Sequence, residues 1–240
     1  MEQITEQIAQ IEIKTKNKGT RAGGKNTTLN GGAFENITSI ESTLLSMGFV
    51  KKTFHTKSDY FMERNIPEEN KLLIYVKQWG LRMYMEQFYQ SSAIRKPDEA
   101  FLIIEKSNCE NQNQDKITIN ILEKKYQSVD GSVDIKLWAG CALKREYELY
   151  YDNKHKINYS FALSKYLIDK INSKDIKWVI LKKILSEHDI YVFNPDHDDY
   201  YTHIINWAFP YLKSHKEPRK STKKTKVKNY KITQTNQIEI

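Results

Sequence analysis

An α/β domain with a mixed central sheet flanked by helices is the fold class this sequence predicts, and three observations lead to it. Short runs of β-branched and aliphatic residues alternate with stretches whose apolar residues recur at helical spacing, as strands crossed over by helices do. Two of the runs, 100–104 and 117–122, are separated by a polar interval, so they pair as an antiparallel hairpin, while the crossovers elsewhere are right-handed. At 240 residues the chain is long enough for one such domain with a real core.

The elements follow in order. Gly19, Gly23, Gly24, Gly31 and Gly32, among several Asn and Thr residues, predict a loop over 19–32. A helix is predicted over 34–47, with Ile37, Ile40, Leu44 and Leu45 on one face and Gly48 as its stop. Glu35 and Glu41 fall on its other faces, and Glu35, in the first turn, complements the helix dipole. Residues 71–78 read as a strand that Gly80 breaks; a helix over 81–88 then presents Leu81, Tyr84, Met85 and Phe88 to the core. After the hairpin, Asp130 and Gly131 turn the chain and Ser132 caps a helix reaching about 150, with Val133, Leu137, Ala142 and Leu149 inward and Lys136, Lys144 and Arg145 outward. A strand over 157–163, helices over 164–171 and 176–187, a strand over 190–193 and a helix over 200–209 complete the pattern.

Charge divides the chain into three. Residues 213–240 form a basic tail predicted to be disordered: 211–240 hold 9 of the 38 Lys and Arg and 2 of the 30 acids, so +7 of the net +8 lies there and +1 in the body. Residues 1–33 are a basic arm or loop carrying Lys14, Lys16, Lys18, Arg21 and Lys25, with no acid between Glu12 and Glu35. The domain proper is 34–212. No apolar run approaches the ~20 residues that span a bilayer, and the N-terminus is acidic and polar, so a soluble, cytoplasmic protein without a membrane partner is expected. Cys109 and Cys141 make neither a disulfide framework nor a zinc quartet.

The chemistry concentrates where the strand 117–122 ends. Side chains alternate along a strand, so Glu123 and Lys125 point to one side and Lys124 to the other. An acid two places before a lysine also occurs at Glu12, Glu69, Asp134, Asp152 and Asp175, but only Glu123 closes an apolar strand whose hairpin partner opens on Pro97 and Asp98. Pairing those strands brings Asp98 near Glu123 and Lys125. Two carboxylates suffice for Mg²⁺, which takes oxygen ligands and keeps several waters, and a lysine beside them orients water and stabilises developing charge.

Pro97 and Asp98 followed by Glu123, one residue, and Lys125 resembles the PD-(D/E)XK nuclease superfamily, and within it the type II restriction endonucleases. The resemblance extends over roughly residues 15–210, including Gly23 to Thr27 and Asn30 to Glu35, which look like the glycine- and asparagine-rich entry and first-helix glutamate of many such enzymes. It implies a restriction-endonuclease-like core and Mg²⁺ held by Asp98, Glu123 and the backbone carbonyl of Lys124. Lys125 then positions the water, Glu35 faces the metal site as an accessory, and hydrolysis of double-stranded DNA leaves 5′-phosphates. Symmetric cutting of a palindrome implies a homodimer, with a cognate DNA methyltransferase encoded nearby as functional partner.

Candidate DNA contacts are the arm residues Lys14, Lys16, Lys18, Arg21 and Lys25, the tail residues Arg219 and Lys220, Gln127 on the Glu123 face, and the loop 128–133. Two other readings fit the residues: a structure-specific repair or recombination nuclease of the same superfamily, and a non-catalytic DNA-binding protein supported by charge. A second Pro-Asp lies in Asn194, Pro195, Asp196, His197, Asp198, Asp199 with His203 beyond, but no acid-Xaa-Lys strand follows it, and Asp and Asn before a helix read as caps. The chain has no G-x-S-x-G motif, P-loop or dinucleotide fingerprint.

Overall fold

The computed structural model describes residues 25–55, 59–107 and 115–214. Helices α1 (Lys25–Ile37) and α2 (Glu41–Ser46) lead into strands β1 (Val50–Thr53), β2 (Tyr60–Ile66) and β3 (Lys71–Lys77). Helix α3 (Gly80–Tyr89) then connects to the hairpin of β4 (Glu99–Glu105) and β5 (Lys116–Lys125). Helices α4 (Val133–Trp138) and α5 (Gly140–Tyr150) cross to β6 (Lys156–Leu163), α6 (Lys165–Ile171) and α7 (Ile176–Glu187) cross to β7 (Ile190–Phe193), and α8 (Tyr200–Ala208) follows. The seven strands make one sheet in chain order. The first five pair antiparallel, and β5, β6 and β7 run parallel. This is the mixed α/β sheet flanked by helices that the sequence predicts, consistent with a restriction-endonuclease-like core.

The central strands read as unbroken apolar runs because both of their faces are covered. On one face Ala100, Leu102, Ile104, Ile117, Ile119 and Ile121 pack under Leu81, Met85, Leu137, Tyr147, Leu167 and Leu181. On the other, Leu73, Tyr75, Phe101, Ile103 and Leu122 pack under Ile40, Leu44, Tyr200, Ile204 and Phe209. β1 and β2 do not stand out in the sequence: β1 is exposed at every position, and β2 sets Glu63, Arg64 and Asn65 beside its apolar Phe61 and Met62. Among the described residues no helix is long and apolar enough to cross a membrane.

Three predicted features are corrected. α1 begins at Lys25, so residues 25–32 are helical and the expected domain start at 34 falls inside a helix. Each interior glycine costs a helix roughly 1 kcal/mol, which is why Gly31 and Gly32 argue loop, but the helix is held by tertiary contact through the buried Phe34. The helix expected over 34–47 is two helices broken at 38–40; Leu45 is exposed, and Glu35 lies in the last turn of α1, where it cannot complement the N-terminal dipole. The helix expected over 132–150 is likewise broken at Ala139. Gly140 is pressed onto β6 so closely that a Cβ there would lie 2.8 Å from the Phe161 ring. The break turns Tyr147 inward and leaves Ala142 and Leu149 exposed. Phe88 is also exposed at the end of α3, although its ring packs against Tyr84 and Phe61.

Candidate active site

The hairpin register sets the site. Glu99 pairs with Leu122, so continuing the ladder would place Asp98 across from Glu123 and Pro97 across from Lys124. Proline has no N–H and cannot extend the ladder. β4 therefore begins at Glu99, while β5 continues to Lys125 with β6 as its partner, Glu123 beside Phe161 and Lys125 beside Leu163. The Lys124 N–H is taken instead by the side chain of Asp98, which accepts it at Oδ2 over 2.6 Å. This bond pins the carboxylate over the projecting end of β5.

Lys125 closes the cluster. Its ammonium donates to Glu123 Oε2 at 2.6 Å and to Asp98 Oδ2 at 3.3 Å, so one positive charge sits between two negative ones. The trio expected from sequence is thus brought together on one face. Burial, reinforced by the Asp98 carboxylate, raises the Glu123 pKa above the usual carboxylate value despite the opposing pull of Lys125. Burial disfavours the Lys125 ammonium, but Glu123 and Asp98 outweigh it and raise its pKa. Under the cluster, Tyr147 and Tyr159 are buried, and both hydroxyls are raised first by burial and then by the Glu123 charge. Among the described residues the Tyr147 hydroxyl has no hydrogen-bond partner.

Lys124 points to the opposite face. Its ammonium donates to Glu99 Oε1 at 2.7 Å and to the backbone carbonyls of Thr38 at 3.0 Å and Glu35 at 3.1 Å. Three donors meet three acceptors, two of them carbonyls in and just beyond the last turn of α1, that of Thr38 also accepting from the Tyr200 hydroxyl. The break between α1 and α2 is therefore tied to the site strand. It also carries Glu35 close enough for Asp98 to act on it: burial first, and Asp98 second, raise the Glu35 pKa.

Asp98 and Glu123 offer an all-oxygen donor pair converging on the point now held by the Lys125 ammonium, which fits a hard divalent cation such as Mg²⁺. Among the described residues no group of three His, Cys, Asp or Glu gathers to hold a metal, so Glu35 stands beside the pair without completing a third protein ligand. On this face Lys124 contributes main chain alone, its N–H orienting Asp98.

The remaining candidates divide. Gln127 lies beside the strand end, but its amide donates to Val129 O at 2.6 Å and its backbone is held by Ser164, so the side chain is folded into the following loop. Lys14, Lys16, Lys18, Arg21, Arg219 and Lys220 lie outside the described residues, and of Lys25 only the backbone, at the start of α1, is described. In the second Pro-Asp segment, Asn194 Oδ1 accepts from Asp196 N and His197 Nδ1 from Asp199 N, bonds of a local turn. Asp199 occupies the N-cap of α8 without a side-chain capping bond. The sequence does not single out the partner Glu99 or the floor residues Tyr147 and Tyr159, since a glutamate after Asp98, a tyrosine between two glutamates and a tyrosine within an apolar strand give no signal of their own. Comparison of the chain with family models, curated proteins and solved structures finds no match.

Proposed function

We propose that this chain is a Mg²⁺-dependent endonuclease acting on double-stranded DNA, in the manner of the type II restriction enzymes its motif resembles. The observation that carries the reading is a single ammonium, Lys125, between the carboxylates of Asp98 and Glu123 at the end of a buried strand. Asp98 and Glu123 are the metal ligands, with the carbonyl of Lys124 as a further one. Bound there, Mg²⁺ supplies charge neutralisation at the phosphoryl oxygens and acidifies a water. The chain's own residues supply position and electrostatics. Asp98 is fixed by the Lys124 N–H, Glu123 by the strand, and Lys125 stands where it can hold an attacking water and stabilise charge developing on the phosphate.

Restriction-type cutting of both strands requires two such sites, hence a homodimer, and a matching methyltransferase as functional partner. The test is digestion of a mixed-sequence plasmid with Mg²⁺. Discrete fragments with 5′-phosphate ends are expected. Intact plasmid in both Mg²⁺ and Mn²⁺ overturns the reading, and cutting of branched but not linear DNA moves it to the repair class.

A further inference from the structure

Beside the carboxylate cluster, the turn between β3 and α3 presents an aromatic ring that the core does not use. β3 pairs with β4 so that Lys77 faces Glu99, which places residues 78–80 across from Asp98 and Pro97. Gln78 adopts a left-handed φ of 44°, a conformation costing a non-glycine residue of order 1 kcal/mol or more. Gly80 is buried so tightly that a Cβ would lie 2.9 Å from Val76 Cβ. Between these two constrained positions stands Trp79, 51% exposed, whereas Trp178 is packed in the core. Lys96, two residues before Asp98, holds its ammonium 5.4 Å from the centroid of the Trp79 ring. At the foot of the turn is a cavity of about 250 Å³ whose walls include Tyr60, Trp79 and Met83, with Lys77 and Gln78 supplying polar groups.

A strained turn that projects a large ring into solvent, with a lysine beside it and Asp98 at the head of the adjacent strand, combines the two chemistries by which proteins hold nucleic acid: aromatic faces for bases and ammonium groups for phosphates. Adjacent strands are about 4.8 Å apart and a residue spans about 3.3 Å, so continuing the β3–β4 register sets the Trp79 backbone roughly 6 Å from that of Asp98, about two base steps at 3.4 Å each. We propose that Trp79 is a nucleobase platform: its ring packs on a base unstacked from the duplex, on the strand whose phosphate lies at Asp98, Glu123 and Lys125, the stacking offsetting the few kcal/mol that unstacking costs, and Lys96 neutralises an adjoining phosphate. This rests on the nuclease reading above.

The test measures binding of a short labelled duplex of mixed sequence to the full-length protein in Ca²⁺, a cation whose longer bonds and higher coordination favour binding over cleavage. Trp79→Ala is expected to weaken binding about 10-fold or more, with the melting temperature and the salt slope unchanged, and Trp79→Phe to retain most of the affinity. Lys96→Ala should flatten the slope of log K against log salt by about 0.9. In Mg²⁺ the Trp79→Ala loss should appear in KM and not in kcat. Duplex should also quench the tryptophan emission of the wild-type protein, and Trp79→Phe should abolish that change. A Trp79→Ala protein that binds and cuts DNA like the wild type overturns the platform and leaves the nuclease reading standing. A wild-type protein that neither binds nor cuts the duplex overturns both.

Discussion

Lys124 and Lys125 are consecutive, carry the same ammonium group, and meet acids from the same neighbouring segment, yet the alternation of a strand sends them to opposite faces. Lys124 and Glu99 are each 1% exposed at the side chain, and every ammonium proton of Lys124 has an acceptor. Lys125, Glu123 and Asp98 are 17%, 17% and 19% exposed, and there one ammonium serves two carboxylates. In the first arrangement the ammonium is fully partnered, one positive charge stands opposite one negative, and Glu99 Oε1 also accepts from the Tyr75 hydroxyl at 2.9 Å, while Glu99 Oε2 is buried without a hydrogen-bond partner among the described residues. The second carries an excess carboxylate beside a solvent opening, the condition under which a cation from solution is bound. Saturation of the ammonium and an even charge balance, more than residue type, distinguish the lysine that holds the fold from the one positioned for chemistry.

The comparison predicts divergent losses. Lys124→Ala should be the most severe change, because it leaves the buried Glu99 carboxylate without its counter-charge, with the Tyr75 hydroxyl as its remaining donor, and removes the ammonium from the carbonyls of Glu35 and Thr38. A loss of about 3–5 kcal/mol in urea unfolding is expected, and a loss below 1 kcal/mol would mean that the pair is not the strut described here. Combining Lys124→Met with Glu99→Gln should recover part of it by removing both buried charges. Lys125→Ala and Glu123→Ala should instead shift unfolding much less than Lys124→Ala, by about 1 kcal/mol, downward for the lysine and upward for the glutamate, and lower plasmid cleavage by about 10²–10³-fold or more, as loss of a charge-stabilising group does. Glu105→Ala, on the same hairpin but outside the cluster, is the active control. Asp98 belongs to both sides, so Asp98→Asn separates them: the amide oxygen can still accept the Lys124 N–H, limiting the stability change to about 1 kcal/mol, while cleavage falls with the lost charge.

Much of this was legible in the sequence. Alternation along residues 117–125 assigns Glu123 and Lys125 to one side and Lys124 to the other, and the hairpin brings Asp98 to them, as the register bears out. What alternation cannot supply is the partner across the sheet. Lys124 finds Glu99 and the carbonyls of residues 35 and 38, and the latter are separated from it by more than 80 residues of chain. The breaks at 38–40 and at Ala139 were equally hidden. One is tied to a lysine reaching those carbonyls and the other to a glycine against Phe161, both tertiary contacts that local periodicity averages over. Trp79 escaped notice because an aromatic after a strand reads as core until its exposure is known.

The smallest predicted effect tests the charge imbalance directly. The Glu123 pKa is raised in the folded protein by burial and by Asp98, with Lys125 opposing. Well below the ordinary carboxylate value the group is protonated whether the chain is folded or not, and it contributes nothing to the pH dependence. Above the folded value it is ionised in both states, and the ionised form is the less favourable one in the folded protein. Glu123 therefore opposes folding at neutral pH, and the penalty fades as pH falls through the raised pKa. Glu123→Gln, measured in EDTA, should melt higher than the wild type at pH 7 by about 2–4 °C for each kcal/mol of penalty removed, and the two melting temperatures should converge as the pH is lowered past the folded pKa toward 4. Lys125 keeps the sign honest, since its own raised pKa means that its ammonium is favoured by the two carboxylates and loses part of that support in the variant. If Glu123→Gln instead melts lower at pH 7, the ammonium is not outnumbered, and the excess negative charge that distinguishes this face from the Lys124 face is absent.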